Sequence, residues 1–320
     1  MNISVIIPVY NAEKFLRKSV ESALQFEEVK EVILIEDGSK DQSLKECQAL
    51  DQQYNRVKLF QHSNAENKGA AGSRNVGIVN STQEYIAFLD ADDYYLSNRF
   101  DKEKVIFSEI SNADGVYGAL GVYFFSDKVE ENFYRMFSKP NDLNSDFLTT
   151  VRSNIVPGRL FKKLSGLEKS EGNFSLDCLT IKAEQLKKLS YFFNESLRIH
   201  QDTEFMIRLS YHLNLYPGLI DQAIAVRGVH ENNRITKIKK NSQQFYYNKH
   251  KLYNSLYQWA KEMSLPKEYV SFLEYKKNSL FLQSILPLEQ IKRLVLKFTG
   301  KKNIPSLLHK KINSRCQKLL

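Results

Sequence analysis

Four short apolar runs, separated by segments of helical character, constrain this chain more than any other feature. Residues 3–7 are mostly β-branched and stop at Pro8; residues 29–35, 57–60 and 85–89 are the other three runs. Runs of this length and composition suit buried strands. Between them, residues 11–25 place Phe15, Leu16, Val20 and Leu24 on one helical face, 41–54 form a polar helix, and 69–80 a helix rich in Gly and Ala. This β-α-β-α-β-α-β alternation predicts a parallel sheet with helices on both faces. Ligands of such sheets sit beyond the carboxyl ends of the strands.

The expected strand ends are polar. They read Pro8-Val-Tyr-Asn11, Glu36-Asp-Gly-Ser39 and Asp90-Ala-Asp-Asp93. Two residues apart on an extended chain, Asp90 and Asp92 point to the same side, and like charges held that close repel unless a cation sits near them. A hard divalent ion, Mg²⁺ or Mn²⁺, suits such oxygen ligands and commonly brings phosphate oxygens with it. The competing assignment is that Asp92 or Asp93 caps a following helix. Gly69-Ala-Ala-Gly-Ser-Arg-Asn75 opens the third helix with small residues. An anion could approach the free N–H groups there, with Arg74 supplying a bidentate cation. Equally, Gly72 and Gly77 could serve only close helix packing, with Arg74 on a solvated face.

Four motifs in this order and spacing resemble family 2 glycosyltransferases: Pro8-Val-Tyr-Asn11, Glu36-Asp-Gly-Ser39, Asn67-Lys-Gly-Ala-Ala-Gly-Ser-Arg-Asn75 with Gly77, and Asp90-Ala-Asp92. The resemblance is strong over residues 1–110 and thins afterwards. It implies the GT-A fold of nucleotide-diphospho-sugar transferases, a Rossmann-like α/β architecture with a mostly parallel central sheet flanked by helices. It implies that Pro8, Tyr10 and Asn11 line the nucleoside pocket and that Asp37, followed by Gly38, reads the base, usually uracil. Arg74 and Asn75 would lie near the nucleotide, Asp90 and Ala91 at the ribose, and Asp92 on the metal. Two departures stand out: Glu36 where Asp is commoner, which leaves Asp37 as the match, and Ser73 in place of Ala.

Beyond Asp93, residues 97–110 look helical, 115–125 could form further strands, 174–181 read as a strand and 182–189 as a helix. Residues 128–167 are mixed, with loop signals at Pro140, Pro157 and Gly158. The rings of Phe133, Tyr134, Phe137 and Phe147 there serve packing or shape an acceptor pocket. A second chemical focus is Asp202, just ahead of the helical spacing of Phe205, Leu209 and Leu213. As an N-cap it would be structural. As a general base it would take the proton of an acceptor hydroxyl during inverting transfer, being ionised at neutral pH with an ordinary pKa near ~3.9. In the family the base usually follows a Glu; here the pair is Gln201-Asp202, so Glu204 stands as an alternative. Residues 221–226 form a last strand. In GT-A enzymes a His after that strand often completes the metal or diphosphate shell. The resemblance therefore implies His230, with Arg227 and Arg234 as phosphate partners.

Charge separates the ends of the chain. Of a net +9, Asn232–Leu320 carries 19 Lys and Arg against 4 Asp and Glu, leaving the rest mildly acidic. Residues 285–320 alone hold nine Lys and Arg and one Glu, interleaved with Ile291, Leu294, Val295, Leu296 and Phe298. Such a segment can lie on an anionic bilayer or be a solvated helical face. No recognition motif accompanies the charge, which argues against nucleic acid. Three scattered cysteines, Cys47, Cys178 and Cys316, offer neither a disulfide framework nor metal spacing. With no signal peptide and no apolar stretch near ~18 residues, a cytoplasmic protein is expected, its tail able to meet the inner face of a membrane. The expected organisation is a catalytic domain over 1–235, divided near 110 into a nucleotide-binding half and an acceptor-side half, and a helical basic extension over 236–320. The expected activity is inverting transfer from a nucleotide sugar, a UDP-sugar by resemblance, to a glycan or lipid-linked hydroxyl in cell-surface polysaccharide synthesis, with Mn²⁺ or Mg²⁺. The alternative is a nucleotide-sugar-binding or membrane-scaffold protein that kept the fold without the chemistry.

Overall fold

The structure, a computed structural model, describes residues 1–136, 147–149, 155–170, 172–189, 191–231, 233 and 241–286. The chain divides into two compact units, Met1–Glu231 and Asn232–Leu320. In the first, alternating strands and helices follow the expected order: β1 Ile3–Val9, α1 Leu16–Leu24, β2 Val29–Glu36, α2 Ser43–Gln53, β3 Val57–Gln61, α3 Gly69–Asn80 and β4 Tyr85–Phe88. After them come β5 Tyr94–Tyr95, α4 Asp101–Glu109, β6 Gly115–Tyr117, β7 Ala119–Phe124, α5 Asp127–Met136, β8 Phe147–Thr149 and α6 Pro157–Ser165. The unit closes with β9 Leu179–Lys182, α7 Ala183–Lys187, α8 Gln201–His212, β10 Leu215–Pro217 and β11 Ala223–Val229.

The main sheet has seven strands in the order β10-β6-β9-β4-β1-β2-β3. All its pairs are parallel except those of β9, which runs antiparallel to both β4 and β6. Its core strands are apolar on both faces, as strands covered on both sides must be. Ile3, Val5, Ile7 and Val9 of β1 join Leu16, Val20, Cys47 and Leu50 in one core. Ile6 joins Ile33, Ile35, Ile78, Phe88, Phe205 and Leu209 in the other. Close packing on that second face depends on Gly77, where an added Cβ would stand 2.3 Å from Ile6 Cγ2. A second sheet, β5-β11-β7-β8, stands beside the first.

Two sequence expectations shift. The first helix begins at Leu16 rather than near residue 11, because Asn11 adopts φ +51°, a left-handed conformation that no helix continues. Residues 174–181 are not one strand: Leu176–Cys178 make a single 3₁₀ turn before β9.

The second unit contains α9 Gln243–Glu262 and α10 Lys267–Ile285. Ser242 caps α9, its Oγ accepting the Phe245 N–H at 3.2 Å. Leu252, Leu256 and Trp259 are buried, whereas Tyr247 is exposed. Most of the basic segment 285–320 lies outside the described residues, as does Arg234. Among the described residues no helix is long and apolar enough to cross a membrane.

Candidate active site

The carboxyl ends of β1 and β2 meet through loop hydrogen bonds. Asn11 N donates to Ser39 Oγ at 3.0 Å, and Asn11 Oδ1 accepts from Lys40 N at 2.8 Å. Ala12 N donates to Ser43 Oγ. These bonds hold the loop after β1 against the loop after β2, leaving the Tyr10 side chain exposed on the rim and Pro8 half-buried beneath it. Asp37 is buried, and its carboxylate accepts Lys68 N at 2.7 Å and Gly69 N at 3.1 and 2.9 Å. It therefore satisfies two orphan donors at the start of α3, with His62 Nε2 at 3.5 Å. Burial pushes its pKa up, against the pull of those N–H groups. Gly38, at φ +70°, keeps this loop tight: a Cβ there would stand 2.6 Å from the Ala65 carbonyl.

The turn after β4 gathers negative charge. One carboxylate oxygen from each of Asp90, Asp92 and Asp93 lies within 4.8 Å of the others. No helix starts there. The next element is the strand β5, and α4 begins only at Asp101, so neither Asp92 nor Asp93 is a helix cap. The three acids differ in environment. Asp90 is half-exposed and accepts from Arg74 Nη2. Arg74 is buried rather than solvated, and its Nε and Nη1 have no hydrogen-bond partner. Buried donors without an acceptor mark a place where one is missing. Asp92, also half-exposed, lies 3.1 Å from His230 Nε2, and the His230 ring stacks on Phe15 with centroids 4.7 Å apart. Asp93 is turned inward: Gly228 N donates to it at 2.9 Å and Arg227 Nε is 3.9 Å away. Burial first, then the neighbouring charge of Asp177, raises its pKa. Half-exposed hard oxygens of Asp90 and Asp92 beside an imidazole nitrogen form a donor set that suits Mg²⁺ or Mn²⁺; Asp93, spent on internal partners, does not belong to it.

Asp202 lies in the first turn of α8, after His200 as N-cap, and accepts Thr203 N at 2.7 Å. It lines a cavity of about 130 Å³ together with Arg227, Ser175, Phe174, Thr203 and Met206. Glu204, the alternative base, is differently placed. It is buried and bound twice by Arg208, at 2.8 and 2.7 Å. Arg227 connects this cavity to the acidic turn, since it faces both Asp202 and Asp93. A larger hollow of about 380 Å³, lined by Leu24, Phe26, Lys30 and Arg56, lies at the amino ends of β2 and β3. There the Arg56 guanidinium is spent on the Leu24, Phe26 and Val29 carbonyls.

Two site residues read from the motifs have other tasks here. The Asn75 amide is engaged by Phe193 N, the Phe193 carbonyl and Glu195, so it tethers residues 193–195 rather than facing a ligand. The Ala91 methyl is buried in the core, which leaves only its backbone to meet a nucleotide. Two residues were not singled out from sequence. Arg198 donates to Asn67 Oδ1 and to its carbonyl, tying the approach to α8 to the loop that bears Asp37. Asp177 accepts Asp90 N at 3.0 Å. A lone acid inside the apolar stretch 174–181 was the available signal for it.

Comparison with known proteins agrees with this fold. Residues 4–163 match the model of glycosyl transferase family 2. An uncharacterized glycosyltransferase of Haemophilus influenzae is 32% identical over 187 residues, covering 55% of this chain and 71% of that one. The minor teichoic acid biosynthesis protein GgaA of Bacillus subtilis is 36% identical over 132 residues, 39% of this chain and 28% of its own. GgaA and most of the other relatives are thus matched over less than half of their length. Among solved structures, S. aureus TarS 1-349 in complex with UDP-GlcNAc superposes with a TM-score of 0.60 at 17% identity, over 92% of this chain and 79% of that one. At that identity the likeness speaks for the GT-A fold.

Proposed function

This chain belongs to glycosyl transferase family 2, and from that footing we propose that it moves a sugar from a UDP-sugar to a hydroxyl of a growing surface glycan or lipid-linked acceptor, inverting the anomeric centre. The observation that carries the proposal is the acidic turn at the carboxyl end of β4, with Arg74 on one side and the Asp202 cavity reached through Arg227 on the other. The relation to GgaA, a teichoic acid biosynthesis protein, and the UDP-GlcNAc complex of TarS support the surface glycan and the uridine nucleotide.

Asp90, Asp92 and His230 would hold the divalent cation, which when bound offsets the charge that develops on the leaving diphosphate. Arg74 holds Asp90 in place. Asp202 takes the proton of the acceptor hydroxyl while the acceptor oxygen bonds to the anomeric carbon. The bond from that carbon to the diphosphate oxygen breaks on the opposite face. The basic segment after α10 would bring the enzyme to the inner face of an anionic membrane, where such acceptors are built.

A thermal-shift panel of UDP-, GDP-, CDP- and ADP-sugars, each with and without Mn²⁺, tests the reading. One nucleotide class should stabilise the protein, more so with metal, because a ligand that binds only the folded state raises its melting temperature. Asp92→Ala should abolish the metal increment. No stabilisation by any nucleotide sugar under either condition refutes the proposal.

A further inference from the structure

The acidic turn is gripped from beneath by a residue that stands outside the proposed donor set. Asp177 is buried in the 3₁₀ turn Leu176–Cys178, directly ahead of β9. Its Oδ1 accepts the backbone N–H of Asp90 at 3.0 Å and its Oδ2 accepts Ser175 Oγ at 2.9 Å. Ser175 Oγ in turn lies 3.5 Å from Arg227 Nη2. The Asp177 carbonyl accepts from Arg99 Nε at 3.2 Å, which pins the 3₁₀ turn itself. From the other side, β11 presses on the same loop. Gly228 N donates to Asp93, and a Cβ at Gly228 would stand 2.3 Å from the Asp92 carbonyl oxygen.

The Asp90 N–H belongs to the peptide that sets the direction of the whole turn. A bond to a buried carboxylate is a strong, charge-assisted anchor for that peptide. Without it the donor would lose its acceptor, and the turn would rotate to find another partner. Rotation there would swing the Asp90 and Asp92 side chains apart.

We propose that Asp177 is a positioning residue for metal binding: by holding the Asp90 peptide it presets the Asp90 and Asp92 carboxylates at the separation a divalent cation requires. This rests on the metal assignment made above for Asp90 and Asp92. Partners one step removed from metal ligands commonly change affinity by about 10–100-fold when lost.

The test is a Mn²⁺ titration of the full chain followed by electron paramagnetic resonance, with UDP binding in the absence of metal measured alongside. Asp177→Ala should bind Mn²⁺ about 10–100-fold more weakly while its metal-free UDP affinity stays at the parent value. Asp177→Asn keeps an oxygen for the Asp90 N–H and should lose distinctly less. Parent-like Mn²⁺ affinity in Asp177→Ala overturns the proposal, as does an equal loss in both variants. A fall of metal-free UDP binding in step with Mn²⁺ binding overturns it too, because that marks a general structural role. If Asp177→Ala does not fold, Asp177→Asn carries the test, and Mn²⁺ affinity at the parent value there is refuting. A parent protein that binds no Mn²⁺ overturns this inference together with the metal assignment it rests on, whereas a parent that binds it alongside an unaffected variant overturns the inference alone.

Discussion

Replacing Asp37 by Ala separates two tasks that one carboxylate performs in this fold. Its three hydrogen bonds reach two backbone donors. Gly69 N is buried and Lys68 is exposed, so water can replace only the second bond at little cost. Losing a charged acceptor for a buried N–H costs about 1.5–3 kcal/mol, and the exposed donor adds roughly 0.5 kcal/mol. Part of this is returned, because burial disfavours the ionised Asp37 and the variant no longer carries that desolvated charge. The net expectation is a loss of about 1–2 kcal/mol, a fall of roughly 2–8 °C in Tm for a folded unit of this size. The second task is the proposed reading of uracil. Uracil N3–H donates to a carboxylate, whereas cytosine N3 can only accept. The parent should therefore prefer UDP to CDP, and Asp37→Ala should lose at least tenfold of that preference, about 1.4 kcal/mol. Calorimetric titration with both nucleotides reads the ratio and scanning fluorimetry reads Tm. An unchanged UDP-to-CDP ratio would leave Asp37 as a helix cap alone. An unchanged Tm would refute the capping energetics instead.

Asp202→Asn should keep UDP affinity at the parent value and lower kcat by about 10²–10⁴-fold; transfer at the parent rate removes Asp202 as the base. Glu31 gives a pH dependence of known sign. Burial pushes its pKa up, but hydrogen bonds from Lys58, Ser4 and Thr82 outweigh that, and the folded-state value lies below the ordinary 4.5. A depressed carboxyl pKa contributes stability that is present above the unfolded value and lost as pH falls through the folded one. The parent should therefore lose more Tm between pH 5.5 and 3.5 than Glu31→Gln does, and parallel profiles in the two proteins would refute the assignment.

What could be read from the sequence follows from which interactions are local. The central strands β1, β2 and β4 announced themselves because a doubly covered strand is mostly apolar, and α3 was legible from end to end because its Gly and Ala content is itself the packing requirement at Ile6. The direction of β9 was not legible, since periodicity carries no polarity and only pairing with β4 and β6 sets it. The start of α1 was missed because a single Asn at positive φ interrupts an otherwise helical pattern. Asp177 stayed hidden because its bond to the Asp90 N–H spans 87 residues. The Glu204 pairing could have been read earlier. Arg208 stands four residues on, and that spacing on a helix commonly makes an ion pair.

His230, a few steps from the last strand of the first unit, rests on the Phe15 ring near that unit's beginning. A polypeptide leaving the ribosome thus completes β1 to β10 before it makes the side chain that faces Asp92. A message cut short within β11 should therefore yield a chain without the imidazole that, under the proposed function, completes the cation site.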